Sequence, residues 1–301
     1  MKSSIQFILS MIIFGTIGLV VRYIDLSSSE TAFLSSSIGF LFLTLVFINK
    51  RKSFSWQKIK SCGIFLFLSG IALGGNWIFL YQSYEYTTLT NATLGYYFAP
   101  VFVMLLSPIF LKEKLSFKKL ICIFVAVLGM MFIVGNGVSA SGREDLIGII
   151  LGLIAAAFYA ALMLLNKFIK EMNRLEVTII QLLVTALILL PYVLITEGLN
   201  MLSVSSSSIP FIIFLGIVNT GIGFWLFFSG MEKLKGQSIA VLSYVDPFVA
   251  ILISGLILQE QFTLLQIIGG VLLLGSTFAS GNKVSQNTRV RQTILVYVWV
   301  T

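Results

Sequence analysis

Long apolar runs alternate with short polar connections along nearly the whole chain. A helix needs ~20 apolar residues to cross a bilayer. By that measure the pattern predicts ten spans: Ile5–Tyr23, Thr31–Asn49, Ser61–Gln82, Leu89–Leu111, Lys119–Val134, Leu146–Phe168, Val177–Thr196, Ile209–Met231, Gln237–Leu258 and Leu264–Ser280. Strands are not expected, because a spanning barrel shows ~10-residue alternating segments instead of unbroken apolar runs. The first run follows Lys2 as the core of a signal peptide would. It is as long as a span, and no A-x-A-like site follows it, so it reads as a retained helix. The expected fold is an all-α membrane protein with ten transmembrane helices.

Charge tests that count. With the N-terminus inside, alternation puts 18 of the 20 Lys and Arg residues on the cytoplasmic side, in groups such as Lys50–Lys52, Lys112–Lys119, Lys167–Arg174, Lys233–Lys235 and Lys283–Arg291. Only Arg22 and Arg143 fall outside. Missing one span would change the side of every later loop and erase the split, so both termini are expected in the cytoplasm of a cell whose plasma (bacterial inner) membrane holds the protein. The same rule accounts for the net charge of +8 without nucleic acid. With 57% hydrophobic and 11% charged residues, the chain has less than half the ~25% charged residues of a soluble domain.

Composition also removes chemistry. The chain has no histidine, which excludes His-ligated metals, His triads and His proton relays; no cofactor and no metal are expected. Cys62 and Cys122 lie near predicted cytoplasmic helix starts and do not suggest a disulfide framework. No Gly-Lys dipeptide occurs, so there is no Walker A loop and no primary pump of that kind.

The chain repeats itself. A shift of 147 residues aligns Asn76–Ile121 with Gly223–Ile268 without a gap. Glu85 meets Glu232, Tyr97 meets Tyr244, Pro100 meets Pro247 and Glu113 meets Glu260. Eight identities in 46 positions are few, but Pro and acidic residues are scarce here, at five and 12. What changes is as informative. Lys112-Glu113-Lys114 becomes Gln259-Glu260-Gln261, while Leu234 and its neighbours Lys233 and Lys235 replace the uncharged Thr87 region. Five spans per half is odd, so the second copy lies upside down, and charge follows the side of the membrane. The expected units are 1–138, an inverted copy at 139–281, and a cytoplasmic tail at 282–301 whose short apolar end, ILVYVWVT, cannot span.

These stretches carry a family resemblance. APVFVMLLSPIFLKEKLSFKKLICIFVAVLGMMFI and VDPFVAILISGLILQEQFTLLQIIGGVLLLGSTFA each join a helix with an internal Pro, an acidic turn and a Gly-containing helix. They resemble the EamA branch of the drug/metabolite transporter superfamily over residues 5–280. The resemblance implies a ten-helix fold and a substrate among amino acids, nucleosides, polyamine-like cations, drugs and other small metabolites. This chain departs from the family at Phe14-Gly15, where Trp-Gly is common, and at SSSIGF, where an Arg is common.

The candidate site follows from position and chemistry. Asp246 lies mid-span, where a charge costs ~2.5–3.5 kcal/mol on insertion scales and usually faces a cavity. The resemblance agrees, since an acid before this Pro is common in the family. In a chain without histidine a carboxylate is the natural proton carrier: burial disfavours its charge and an arriving cation favours it. Pro100 and Pro247 are candidate hinges, each expected to free the carbonyl four residues earlier, at Tyr96 and Ser243. Asn76, Trp77, Tyr81, Gln82, Asn91, Tyr96 and Tyr97, with Tyr159, Asn219, Trp225, Ser243 and Tyr244 across the pseudo-axis and Thr16 on the first span, form a polar-aromatic cluster suited to cations and rings. Each tyrosine or tryptophan alone also fits an interfacial anchor. Arg22 reads as a snorkelling end charge, Glu113 and Glu260 as caps of neighbouring segments, and Gly70–Gly74 and Gly148–Gly152 as close helix contacts.

Two classes of function remain open. One is a secondary transporter, monomeric or homodimeric, moving a small-molecule substrate through the lipid bilayer by alternating access, with proton coupling through Asp246 and substrate contacts among the residues above. The other is an intramembrane enzyme or channel-like protein on the same scaffold. The inverted repeat favours the first, and the lack of a second midplane acid weighs against the enzyme.

Overall fold

The computed structural model describes residues 2–51, 54–87, 92, 95–114, 116–134, 143–198, 203–257 and 264–281. The expected tail 282–301 lies outside them, as do Lys52, Asn91 and Glu260. All regular structure among the described residues is helical: α1 (Lys2–Gly15), α2 (Ile17–Val21), α3 (Ser28–Asn49), α4 (Trp56–Tyr86), α5 (Ala99–Leu111), α6 (Phe117–Val134), α7 (Arg143–Asn166), α8 (Arg174–Thr196), α9 (Ile209–Phe214), a π-helical segment (Leu215–Ile222), α10 (Gly223–Met231), α11 (Gly236–Leu242), α12 (Val245–Leu256) and α13 (Leu264–Gly281). Among the described residues, six stretches are long and apolar enough to cross a membrane: Lys2–Val21, Ser28–Asn49, Trp56–Tyr86, Glu144–Asn166, Arg174–Thr196 and Ile209–Met231. The chain is an all-helical, multi-pass membrane protein.

Local sequence sets several helix ends. Ser27 accepts the Glu30 N–H at 3.2 Å, and Glu30 accepts the Ser27 N–H at 3.1 Å, a capping box that starts α3. Asn173 caps α8 by accepting the Leu175 N–H at 3.0 Å. Glu113 accepts the N–H groups of Gly236 at 3.0 Å and Gln237 at 3.5 Å, which start α11; the capping role read from the sequence holds for this residue. The paired glycines also behave as expected. A methyl group on Gly70 would lie 2.6 Å from Val184, and one on Gly148 would lie 2.4 Å from Thr87. Both allow backbones to approach as larger residues would not.

The halves pack on one another reciprocally. α4 lies along α7 as α10 lies along α1; α4 touches α8 as the π segment touches α3; α5 meets α7 as α12 meets α1. α3 with α8, and α6 with α13, are self-matching pairs. α6 and α13 each have 18 residues, and their starts, Phe117 and Leu264, keep the same 147-residue offset. The main core sits where the halves meet and includes Phe7, Leu73, Met104, Phe227 and Tyr244, all at most 1% exposed.

Polar contacts collect at the two ends. At one end Lys58 donates to the Glu171 carbonyl at 2.7 Å, and Lys119 to Ser238 at 2.9 Å. There Lys167 reaches the carbonyls of Met231, Glu232 and Leu234. Arg174 pairs with Glu232 at 3.3 Å and donates to the Ile169 carbonyl. The opposite end is held by Asp25 with Ser205 and Ser208, Ser29 with Glu197, and Thr87 with Asp145. Cys62 and Cys122 are free thiols.

Candidate functional site

Two broken helices form the site. Before α5 the Phe98 N–H bonds back three residues to the Gly95 carbonyl; before α12 the Tyr244 N–H bonds back to Val241. These tight turns interrupt the spans, and Pro100 and Pro247 fall within the first turn of the helices that follow. A first-turn proline needs no N–H partner and suits the helical φ. This differs from two continuous helices kinked at a proline. It also uses the Ser243 carbonyl, expected to be free, because the Asp246 N–H donates to it at 3.3 Å.

Between the halves lies a narrow space lined by Tyr96, Tyr97, Ala99, Pro100, Tyr159, Ser243 and Asp246. Six of these seven were singled out in the sequence; Ala99 carries no functional group and gave no signal. Asp246 stands in the first turn of α12, where helix-end N–H groups put partial positive charge beside its carboxyl. Among the described residues no Lys or Arg forms an ion pair with it. Tyr159 on α7 stacks on Tyr96 at 5.6 Å and on Phe227 at 6.0 Å, and Tyr96 meets Tyr97 at 5.9 Å. The Ser243 hydroxyl donates to the Ile239 carbonyl at 2.9 Å. The space has room for no more than about one water molecule, so its walls are closed against a small molecule in this conformation.

The other candidates lie around this space without lining it. Asn76, 1% exposed, donates to the Ala155 carbonyl at 2.8 Å, tying α4 to α7. Trp77 meets Phe224 edge-on at 6.0 Å, and Tyr81 meets Tyr84 at 6.4 Å. Gln82 donates to the Tyr192 hydroxyl at 3.3 Å. Trp225 packs against the core from α10. Tyr244 is 1% exposed, and its hydroxyl reaches the Tyr97 carbonyl at 3.4 Å. Asn219 donates to the Ile13 carbonyl at 2.7 Å and to Thr16 at 2.9 Å, linking the π segment to the break between α1 and α2. Next to that break a methyl group on Gly15 would lie 2.9 Å from the Asp246 carbonyl oxygen. Gly15 thus brings the first span against the turn that carries the acid, a role the sequence pattern did not reveal. The described residues hold no cluster of three metal-ligating acids or thiols.

The chain is similar to known proteins. The EamA-like transporter family matches residues 1–135 and again 146–281. An uncharacterized transporter of Bacillus subtilis, YxxF, is 31% identical over 277 residues, covering 89% of this chain and 86% of its own. An uncharacterized transporter of Archaeoglobus fulgidus is 28% identical over 268 residues, 89% of this chain and 92% of its own. The uncharacterized inner membrane transporter YicL of Salmonella typhimurium is 25% identical over 285 residues, 91% and 93% respectively. A protein of known crystal structure superposes with a TM-score of 0.80 over 95% of this chain and 99% of its own, at 16% identity, a likeness of fold.

Proposed function

The chain belongs to the EamA-like transporter family, and from that premise we propose that it is a secondary transporter moving a small metabolite, such as an amino acid or organic cation, across the bacterial inner membrane by alternating access. Ten spans in two inverted five-helix units, 1–138 and 139–281, with both termini cytoplasmic, account for the charge split and for the reciprocal packing of the halves. The observation that carries the reading is the single carboxyl of Asp246 beside Tyr96, Tyr97 and Tyr159 in a space between the halves. An acid without a fixed cation exchanges a proton for a cationic group as the walls part. Pro100 and Pro247, in the turns that form those walls, are the hinges. Asn76, Trp77, Tyr81, Trp225 and Tyr244 support the walls and reach substrate only in a wider state.

Binding stabilises the native state, so a thermal-shift screen of the detergent-purified protein against amino acids, nucleosides and quaternary amines identifies the substrate class. Counterflow of the compound found, in proteoliposomes over a pH range, then tests Asp246. Asp246→Asn is expected to lower the rate at least tenfold and flatten its pH dependence, with insertion intact. Wild-type rates with an unchanged pH profile would remove Asp246 from the mechanism.

A further inference from the structure

Ala99 and Asp246 occupy equivalent positions. The shift that pairs Tyr97 with Tyr244 and Pro100 with Pro247 also pairs these two, with no gap between. Ala99 opens α5 and Asp246 lies in the first turn of α12, each following a tight turn that contains the paired tyrosine. Both line the same space. Tyr96 and Ser243 form a second equivalent pair in that lining. The space therefore lies between two half-sites of one pattern, with a carboxyl on one wall and a methyl group on the other.

We infer that Ala99 sets the number of charges on the substrate: the site takes a small organic monocation, its charged head at Asp246 and its apolar part against Ala99 and Tyr96. This rests on the reading of Asp246 as the cation's partner. A second charged head would reach the α5 wall, lose its water and find no anion there. The aromatic rings do not replace that anion: Tyr159 is already stacked with Tyr96 and Phe227, and a cation–π contact is a weak substitute for an ion pair. An acid at position 99 would restore the symmetry of charge. Two facing carboxyls repel one another when empty and are both satisfied by a dication, so the substitution favours the doubly charged ligand over the singly charged one.

Pentylammonium and 1,5-diammoniopentane share a five-carbon chain and differ in the second charge. Their affinities for the full-length protein in detergent, at constant ionic strength, are read by titration calorimetry. The native protein is expected to favour pentylammonium. Ala99→Asp should shift the affinity ratio at least tenfold toward the diamine, while the neutral Ala99→Asn shifts it less than threefold. Asp246→Asn should weaken both ligands at least tenfold. If Asp246→Asn weakens both but Ala99→Asp behaves like Ala99→Asn, the inference about Ala99 fails alone. If Asp246→Asn changes neither affinity, or the native protein binds neither amine, the Asp246 reading beneath it fails. Should Ala99→Asp not fold, Ala99→Asp/Asp246→Ala keeps one acid and moves it to the other wall. That variant should hold pentylammonium within tenfold of the native protein, and loss of binding by the folded variant overturns the equivalence.

Discussion

The hydroxyl of Tyr244 donates to the main-chain carbonyl of Tyr97 at 3.4 Å, and the two residues hold the same place in the two halves of the chain. The bond ties together the turns that precede α5 and α12. If those turns are hinges, a change in their stiffness alters turnover more than binding. Pro100→Ala and Pro247→Ala, which release the fixed φ of each first turn, are expected to lower the maximal transport rate severalfold with equilibrium binding nearly intact. Tyr244→Phe should cost only about 1 kcal/mol of stability, the usual net worth of one hydrogen bond. Parallel counterflow and calorimetry check both; unchanged turnover in the two proline variants would reduce those residues to packing.

Gly15→Ala should be more harmful than its size suggests. The added methyl would meet Val249 at 2.7 Å and the Asp246 carbonyl at 2.9 Å, and backbone cannot swing aside as a flexible side chain can. Overpacking of this kind costs ~1–3 kcal/mol. The expected result is a lower unfolding temperature together with reduced transport. Gly18→Ala is the control, because nothing lies within 4 Å of a methyl there.

Lys167 holds one end of the bundle closed by donating to three carbonyls, of Met231, Glu232 and Leu234. These belong to the exit of α10, whose terminal carbonyls otherwise lack helical partners. Lys167→Met keeps most of the apolar stem and removes the donors. It should destabilise the protein by ~1–3 kcal/mol, read as a fall in unfolding temperature in detergent.

Asp25 gives the stability a pH dependence. Hydrogen bonds from Ser208 and then Ser205 hold its carboxyl below the ordinary range, against a smaller opposing effect of burial. A depressed carboxyl contributes stability that is present above the unfolded value of ~3.9 and is lost as pH falls through the folded value. The native protein should therefore unfold at a higher temperature than Asp25→Asn near neutrality, and this advantage should begin to shrink at about pH 3.9 and be gone only below the depressed folded value. A constant difference across pH 3–7 would contradict it.

Topology is open to direct labelling. In a background with Cys62 and Cys122 replaced by Ala, a cysteine at Glu85 should react with an impermeant thiol reagent from outside the cell, and one at Lys114 only after permeabilisation. The reverse pattern would invert the assignment.

Different kinds of information made different parts legible. Short-range pattern could be read directly: Glu113 was legible as a cap of a neighbouring segment, and the tyrosine-proline register repeats in one dimension. Asp246 stood out because an acid in an apolar run needs a reason. Contacts between distant segments could not be read. Asn219 finds the Ile13 carbonyl 206 residues away, and Lys167 finds its carbonyls more than 60 residues on. Trp77 and Tyr81 share a helix face as their spacing requires, but which way that face turns depends on α7 and α10. Ala99 matters through its counterpart, and a methyl group carries no chemical signal of that.

α4 has one further property, its length. Its 31 residues extend ~46 Å at 1.5 Å per residue, against ~30 Å of hydrocarbon. Tilt alone would have to reach ~50°, beyond the 0–40° seen in membrane helices, so the helix also projects into the headgroup layer. Lys58 and Lys60 near its start and Tyr84 and Tyr86 at its end are residue types that settle at that depth. The helix works as a ruler held by both leaflets. In a thinner bilayer it leans further, and α7 and α8, packed along it, lean with it. Lipid chain length is therefore expected to change counterflow rates in proteoliposomes, because Tyr159 borders the space from α7.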